Sequence, residues 1–411
     1  MFLEKLKHTK INDSNLLKHT FIVSVSLLIA NLMNYLFQIY TGRILGPEKY
    51  GILGLLLSLF YIFSVPVESL KTFLTTQISK IYSKNRNSIG PLIQKILRKM
   101  LFLGIVFMVL LTLFSGMISG IFKIGEILVI YLGVLVILNF IFSIFKFSLA
   151  GIQKFKKMSV LVVTSSGIKL LMTVFLISLG FGIFGAIYGI GAGLFLSSVI
   201  GIVFLRKFFV YKSSPGVKDS KSYFYYTFFT VLLITLFYSI DIILVKLFFS
   251  PEQVGYYVAA STAGKITFFL CGPVVLSMLP KASAIEEKKK NPKHLLYYSI
   301  LYTLVLGGFA TLVFLIAPAF VVKTLYGTAY AYVKNLVGIF SVGMLFLSLT
   351  NVAVQYNLAT KGSSHLLLLF LGIFLEISGI VLFHSTLVEV VKVFVISTGL
   401  VASTVVLREC L

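Results

Sequence analysis

The residues most able to do chemistry are two lysines inside apolar runs. Lys169 and Lys265 each lie about ten residues, or roughly 15 Å of helix, into a run long enough to cross a bilayer. An ionisable group at such a depth costs roughly 2.5–3.5 kcal/mol on insertion scales, so it usually faces an interior cavity. Because a lysine there cannot readily extend its ammonium group to the interface, we expect both lysines to line a polar cavity.

Polar side chains at helical spacing mark further helix faces. Asn34 and Gln38 lie one turn apart in the first apolar run, and Glu68 and Lys71 lie one turn apart in the second. Polar residues in spans often only bond neighbouring helices, and a lysine near a span end can reach the interface. Asn34, Gln38 and Lys71 are therefore candidates for substrate binding, with helix packing as the alternative.

Three carboxylates inside apolar runs are candidates for binding a proton or another coupling ion. Glu68 can be neutralised by Lys71, one turn away. Asp241 and Glu376 have no such partner nearby in the sequence, so they must pair across helices or face water. For these two residues, ion coupling and structural pairing both stay open.

The sequence lacks the motifs of enzymes and metal sites. It contains no GxxxxGK, no HExxH and no loop with paired carboxylates. Cys271 lies in an apolar run and Cys410 is the penultimate residue, which fits neither a disulfide framework nor a metal site. We expect no cofactor, no metal and no enzymatic activity, and the short outer loops also argue against a glycosyltransferase or a polymerase.

The elements that must position these residues are membrane-spanning helices. Of the 411 residues, 58% are hydrophobic and only 12% are charged, with a mean hydropathy of +1.01. Soluble chains carry roughly a quarter charged residues. The net charge of +23 would suggest nucleic acid in a soluble protein, but here the basic residues fall between apolar runs. We predict an all-α polytopic membrane protein with no nucleic-acid partner.

The distribution of basic residues supports a count of about 12 transmembrane helices. With a cytoplasmic N-terminus, 26 of the 36 Lys and Arg residues fall in inner segments, six in outer segments and four within spans. Cytoplasmic loops concentrate Lys and Arg, and a miscounted helix would invert every later loop. Both termini are therefore predicted to be cytoplasmic. The predicted spans are 21–41, 51–71, 100–119, 127–146, 159–179, 182–205, 224–246, 255–278, 296–316, 335–356, 365–384 and 388–407.

An internal repeat divides the chain into two halves. The segment 47–51 (PEKYG) recurs 204 residues later as 251–255 (PEQVG), each time as the outer turn between the first two helices of a six-helix half. Six helices restore the starting orientation, so the halves are predicted to be parallel lobes around a central cavity. The predicted lobes are 1–205, beginning with a cytoplasmic amphipathic segment, and 224–411, joined by a cytoplasmic linker at 206–223.

Several motifs together resemble one family of membrane proteins. The segment 41–51 (TGRILGPEKYG) looks like its first-loop signature, and 241–246 (DIILVK) with 250–257 (SPEQVGYY) is similar to the start of its second half. GIFGAIYG at 182–189 and LYG at 325–327 also fit. From about residue 15 to 384 the chain resembles the polysaccharide biosynthesis flippases of the O-antigen and teichoic-acid export type. They belong to the multidrug/oligosaccharidyl-lipid/polysaccharide exporter superfamily.

The resemblance implies a central cavity lined by the first, second, seventh and eighth helices, open alternately to each side. It puts Arg43, Lys71 and Lys265 in the lining, where cations at low dielectric suit an anionic pyrophosphate. The implied function is translocation of a polyprenyl-(pyro)phosphate-linked oligosaccharide to the outer leaflet of the plasma membrane, for cell-surface polysaccharide biosynthesis. The implied partners are this lipid, membrane lipids and other polysaccharide-assembly membrane proteins. We expect neutralisation of Lys265 to impair transport more than neutralisation of Lys169.

Two other functions stay open. A cation-coupled multidrug antiporter of the same superfamily is the main alternative. Such antiporters commonly use a carboxylate in the first helix, and residues 21–41 contain no Asp or Glu. A membrane scaffold without transport activity is the third hypothesis, and the polar helix faces and mid-membrane lysines argue against it.

Overall fold

The described part of the chain is helical and contains no β-strand. The computed structural model describes residues 2–84, 86–209, 221–275, 277, 278, 282, 293–360 and 365–410. The helices are α1 (Phe2–Lys84), α2 (Ile89–Leu113), α3 (Ser115–Phe122), α4 (Glu126–Gly151), α5 (Phe155–Ser178), α6 (Gly182–Leu205), α7 (Lys221–Phe237), α8 (Ile240–Phe248), α9 (Pro251–Leu270), α10 (Lys293–Ile316), α11 (Pro318–Tyr326), α12 (Lys334–Ala359), α13 (His365–Leu382) and α14 (Leu387–Cys410). Short 3₁₀ turns occupy Arg86–Ser88, Arg206–Phe208 and Thr328–Val333.

The first two predicted spans lie in α1, which changes direction at one glycine. The apolar part of α1, Ile22–Tyr82, has 61 residues. As a straight helix it would be about 92 Å long, three times the hydrocarbon thickness of roughly 30 Å. Gly46, with φ 74° and ψ 170°, interrupts the helical geometry between the two spans. A positive φ is readily adopted by glycine, so the predicted turn lies where the sequence allows it.

The count of about twelve spans is confirmed. In the described residues, ten helices are long and apolar enough to cross a membrane, and the bent pair α7 and α8 adds an eleventh. The break at Gly46 divides one of the ten into two spans, which gives twelve. The predicted span 224–246 is therefore a broken helix, with a bend of 42° near Ser239.

Two of the predicted spans contain proline, which removes a backbone hydrogen bond and can bend a helix. Pro66 lies within α1, where Gly46 is the one residue with non-helical backbone angles. α9 ends at Leu270, just before the Gly272–Pro273 pair. The bend at Ser239 was not predicted, because neither Pro nor Gly marks it in the sequence.

The chain forms two compact units, each with its own core. Unit 1 consists of Met1–Tyr40, Pro66–Gly120 and Gly125–Ser220, and its core includes Phe140 and Ile144 of α4. Unit 2 consists of Thr41–Val65, Ile121–Ile124 and Lys221–Leu411, and its core includes Phe340 of α12 stacked on Phe394 of α14. The predicted lobes 1–205 and 224–411 remain a prediction, and within the predicted linker, residues 210–220 lie outside the described residues.

Candidate functional site

An ion pair in unit 1 links the second span to α4. The Lys146 ammonium donates to Glu68 Oε1 at 3.1 Å, and the Ser143 hydroxyl donates to the same oxygen at 3.4 Å. Lys71 is exposed, and its charge also acts favourably on Glu68. The sequence indicated Lys71 as the partner of Glu68, whereas the direct contact comes from Lys146. Asn139, Ser143 and Lys146 are spaced so that they share one face of α4, but the sequence does not indicate which helix they contact.

Lys169 and Asn34, predicted from different spans, are brought together in unit 1. The Lys169 ammonium donates a hydrogen bond to Asn34 Oδ1 and lies 4.5 Å from the ring centroid of Phe37. Both side chains are half-buried, as is Gln38 one turn further along α1. Within the described residues, no carboxylate lies within salt-bridge distance of Lys169. Its charge is therefore balanced only by an amide oxygen and an aromatic face.

Two glycines of α6 allow α5 to pack closely against α6 at Lys169. A Cβ at Gly193 would lie 3.0 Å from Lys169 Cβ, and one at Gly189 would lie 2.9 Å from the Lys169 carbonyl oxygen. The backbones of α5 and α6 therefore approach closely at this lysine, as small residues permit in membrane helices. Gly189 belongs to the segment 182–189 that carried part of the family resemblance, so this motif positions a candidate site residue.

Unit 2 contains a fully buried carboxylate beside a buried lysine. Asp241 accepts from the Tyr257 hydroxyl at 2.9 Å and from the Ile242 backbone N–H at 2.8 Å. The bend near Ser239 puts Asp241 in the first turn of α8, where a helix favours negative charge. Lys265 is 9% exposed, interacts electrostatically with Asp241 and lies 5.8 Å from the Tyr238 ring centroid. Sequence reasoning missed Tyr257 as a site residue.

Glu376 on α13 is a second buried carboxylate in unit 2. It is fully buried, and neither of its oxygens has a hydrogen-bond partner among the described residues. Its charge acts unfavourably on that of Asp241, and it is close enough to Tyr257 to disfavour ionisation of the phenol, so the three side chains share one region. Two carboxylates and one lysine leave one negative charge uncompensated, and burying an unpaired charge is very unfavourable. The arrangement therefore requires a proton or a small cation.

Arg43 contacts the end of a helix in unit 2. Its Nε donates to the Leu325 carbonyl at 2.8 Å, and its Nη2 donates to the Thr324 carbonyl. These carbonyls belong to the last turn of α11. The carbonyls of a last turn have no intrahelical donors, and they give this end of the helix a partial negative charge. In this structure the guanidinium, predicted to bind substrate, caps a helix.

The signature segments of the two halves pack against each other within unit 2. A Cβ at Gly51 would lie 2.9 Å from the Gly255 nitrogen, and one at Gly255 would lie 1.9 Å from the Pro47 carbonyl oxygen. The Tyr330 hydroxyl donates to the Gly42 carbonyl at 2.7 Å. The glycines of the repeat are thus required by close backbone approach.

The described residues contain no group of three His, Cys, Asp or Glu side chains that could hold a metal ion. The charged side chains of the spans differ between the units: Glu68 is accompanied by three lysines in unit 1, whereas unit 2 has two buried carboxylates and one buried lysine.

Comparisons with known proteins identify a family and a fold. The family model described as "Polysaccharide biosynthesis protein" matches residues 16–286. No curated protein sequence is significantly similar to the chain.

The chain has the fold of transporters of the MOP superfamily. It is similar to an inward-facing multidrug resistance MATE transporter (TM-score 0.71, 18% identity, covering 95% of this chain and 97% of that chain). It is also similar to a MOP-superfamily transporter from Pyrococcus furiosus, described as having a binding pocket of reversed polarity (TM-score 0.70, 19% identity, covering 95% of this chain and 94% of that chain). A third similar structure is the lipid II flippase MurJ in an inward closed conformation (TM-score 0.69, 14% identity, covering 95% of this chain and 86% of that chain).

Proposed function

Since the chain belongs to the polysaccharide biosynthesis protein family, we propose that it is a transporter for a lipid-linked oligosaccharide. It moves a polyprenyl-(pyro)phosphate-linked oligosaccharide from the inner to the outer leaflet by alternating access. The product serves cell-surface polysaccharide biosynthesis. The similarity in fold to a lipid II flippase and to MATE transporters supports a transport role.

The observation that carries this proposal is the excess of lysine in the spans of unit 1. Lys71, Lys146 and Lys169 are balanced there by one carboxylate, Glu68. A diphosphate that leaves water must exchange its hydration for protein cations, and the interaction strengthens as the dielectric falls. A transporter of cationic drugs would gain nothing from lysines in this position.

Lys169 is the residue we assign to the diphosphate. The Lys169 side chain is half-buried and its ammonium is hydrogen-bonded to a neutral amide, so an anion can replace Asn34 without breaking an ion pair. Phe37 faces the ammonium from one side and limits its hydration. Asn34 orients the lysine before substrate binds, and Gln38 supplies a further polar group on the same helix.

The carboxylates of unit 2 are assigned to coupling. Asp241 and Glu376 share one uncompensated negative charge beside Lys265, so binding or release of one proton or small cation changes the charge of the site. Such a change can favour one conformation of a transporter over another. The alternative is that both carboxylates only connect α8, α9 and α13.

Transport by Lys169→Gln tests the substrate assignment. Purified protein is reconstituted in proteoliposomes with a labelled lipid-linked oligosaccharide, and flipping is measured as the glycan accessible to an impermeant lectin. We expect the rate to fall about 10- to 100-fold, the size of a lost hydrogen bond to a charged group. Lys392→Gln, which removes an exposed lysine of α14, is the matched control. Equal rates in wild type and Lys169→Gln would reject the assignment.

The proposed orientation in the plasma membrane has cytoplasmic termini. Cysteines introduced at Lys212 and Lys289, which lie outside the described residues, should react with an impermeant reagent only from the cytoplasm. A cysteine at Lys123 should react only from outside. Labelling of position 212 from outside would overturn the orientation.

A cation-coupled multidrug antiporter is the second candidate function, because the buried carboxylates of unit 2 could bind a coupling ion and the fold matches MATE transporters. An antiporter would exchange a cationic dye for protons or sodium across the same proteoliposomes, without any lipid-linked oligosaccharide. Dye exchange with no glycan translocation would favour this function over the first.

A further inference from the structure

Four basic residues of unit 1 gather at the ends of three different helices. Lys154 lies between α4 and α5, and its charge interacts with those of Lys157, Lys207 and Arg86. Arg86 follows α1, Lys157 begins α5, and Lys207 follows α6. The three connections are predicted to lie on the cytoplasmic side, so their cations meet at one membrane surface.

Aromatic rings support three of these cations. Arg86 Cζ lies 4.6 Å from the ring centroid of Tyr82, Lys154 Nζ lies 5.3 Å from that of Phe208, and Lys157 Nζ lies 4.8 Å from that of Phe204. A cation within about 6 Å of a ring centroid is attracted to the ring face. The charged groups are thus held in place and are not simply extended into solvent.

Backbone packing holds the three connections together. A Cβ at Gly90 would lie 1.9 Å from the Phe208 carbonyl oxygen, so the start of α2 approaches the Arg206–Phe208 turn at a distance that only glycine permits. Gln153, with φ 59°, adopts a left-handed conformation in the turn before Lys154. Because a non-glycine residue seldom adopts this conformation, the turn is held there by its surroundings.

The four side chains of the cluster are all basic. Within the described part of the chain, none of the four cations forms a salt bridge with a carboxylate. Burial, followed by the charges of Lys157, Lys207 and Arg86, lowers the pKa of Lys154 below its usual value. The excess of basic residues in cytoplasmic loops explains the presence of these residues, but it does not require them to converge on aromatic rings. Like charges that converge repel one another, and an anion bound between them replaces this repulsion with attraction.

We propose that Arg86, Lys154, Lys157 and Lys207 form a binding site for the phosphate group of an anionic lipid in the adjacent leaflet. The site lies at helix ends, where lipid phosphates lie, and its guanidinium and ammonium groups match phosphate oxygens. Lys157, Lys207 and Arg86 are exposed and accessible to a headgroup. The ligand is either a bulk phospholipid or the polyprenyl diphosphate carrier; the second rests on the proposed function.

Native mass spectrometry of the purified full-length chain tests the site. The probes are phosphatidylglycerol, phosphatidylcholine, polyprenyl diphosphate without sugar and inorganic pyrophosphate. The test variant is Lys154→Gln/Lys157→Gln. The matched control, Lys95→Gln/Lys99→Gln, removes two exposed lysines of α2 at the same end of unit 1. We expect the test variant to bind an anionic lipid about 30-fold more weakly, and the control to bind it as wild type does.

The outcomes separate the two lipid sources. Equal weakening for phosphatidylglycerol and polyprenyl diphosphate indicates a general phosphate site, and weakening for polyprenyl diphosphate alone indicates a substrate entry site. Neither result depends on transport, so the site can stand if the proposed function fails. Equal losses in the test and control variants, or an unchanged affinity in the test variant, would overturn the proposal, as would binding of pyrophosphate without any lipid. The single variant Lys157→Gln, at an exposed residue, gives the same readout if the double variant does not fold.

Discussion

Unit 1 and unit 2 differ in the sign and in the burial of the charged side chains in their spans. Around Glu68 and Lys169, unit 1 has three lysines and one carboxylate, and these side chains are exposed or half-buried. Around Asp241, unit 2 has two carboxylates and one lysine, and all three are buried. An excess of positive charge on side chains that a ligand can reach suits a polyanion. An excess of negative charge on buried side chains suits a proton or a small cation. This difference in charge is the basis on which the proposed function assigns substrate binding to unit 1 and coupling to unit 2.

Lys265→Gln should have the largest effect on stability, because it leaves two buried carboxylates with no cation. Among the described residues Lys265 makes no direct salt bridge, but its charge acts favourably on Asp241, and leaving a buried charge uncompensated typically costs about 3–5 kcal/mol. Unfolding can be followed by reaction of the buried thiol of Cys271 with a thiol-reactive dye during heating, in a Cys410→Ser background. Lys169→Gln, which leaves no carboxylate behind, is the control and should unfold close to wild type. Similar unfolding temperatures for Lys265→Gln and Lys169→Gln would remove the distinction between the units.

For transport, the structure reverses the order of effects that the sequence predicted for neutralising Lys265 and Lys169. Lys265 is 9% exposed and beside a carboxylate, whereas Lys169 is half-buried without one. Loss of transport in Lys265→Gln should therefore follow from loss of folded protein. At temperatures where both variants are folded, we expect Lys169→Gln to be the slower of the two.

Glu376→Gln should flatten the pH dependence of transport. The variant keeps the shape of the side chain and removes one of the two titrating groups of the site, and a buried amide is less unfavourable than a buried carboxylate. Transport rates are measured in proteoliposomes from acidic to alkaline pH, with Asp241→Asn in parallel. Glu389→Gln is the control, because that carboxylate accepts from the Ser385 N–H outside the pair. An unchanged profile in both test variants would leave the two carboxylates as structural partners.

Lys146→Gln should have the smallest effect on stability. Glu68 keeps Lys71 as a nearby cation, and the side chains of the pair are 22% and 38% exposed, so the loss should stay below about 1 kcal/mol. The same dye assay measures it. A loss as large as that of Lys265→Gln would mean that unit 1 also depends on a buried ion pair.

The sequence predicted the spans well because their signals are local. The length of an apolar run and the charge of the next loop are both read within about thirty residues. Asn34 and Lys169 were both identified as polar groups on helix faces, but their contact depends on how α1 packs on α5. Glu68 was matched with the nearer lysine because the spacing on one helix is visible and a partner on another helix is not.

Other parts of the site had no sequence signal at all. The bend near Ser239, which puts Asp241 at a helix start, has no Pro or Gly to indicate it. Arg43 has the right charge for a phosphate, yet its partner carbonyls lie 281 and 282 residues further on. Only tertiary structure could distinguish capping from substrate binding.

The capping contact of Arg43 has a consequence for synthesis. At about 5–20 residues per second, the ribosome reaches Leu325 roughly 14–56 s after it has made Arg43. During that interval the segment Thr41–Val65, which belongs to unit 2, must wait in the membrane for the rest of its unit. Its Arg43 and the carbonyl of Gly42 have their partners only when the chain passes Tyr330. A pause or truncation before this point leaves the guanidinium of Arg43 without the carbonyl oxygens that it binds in the folded unit.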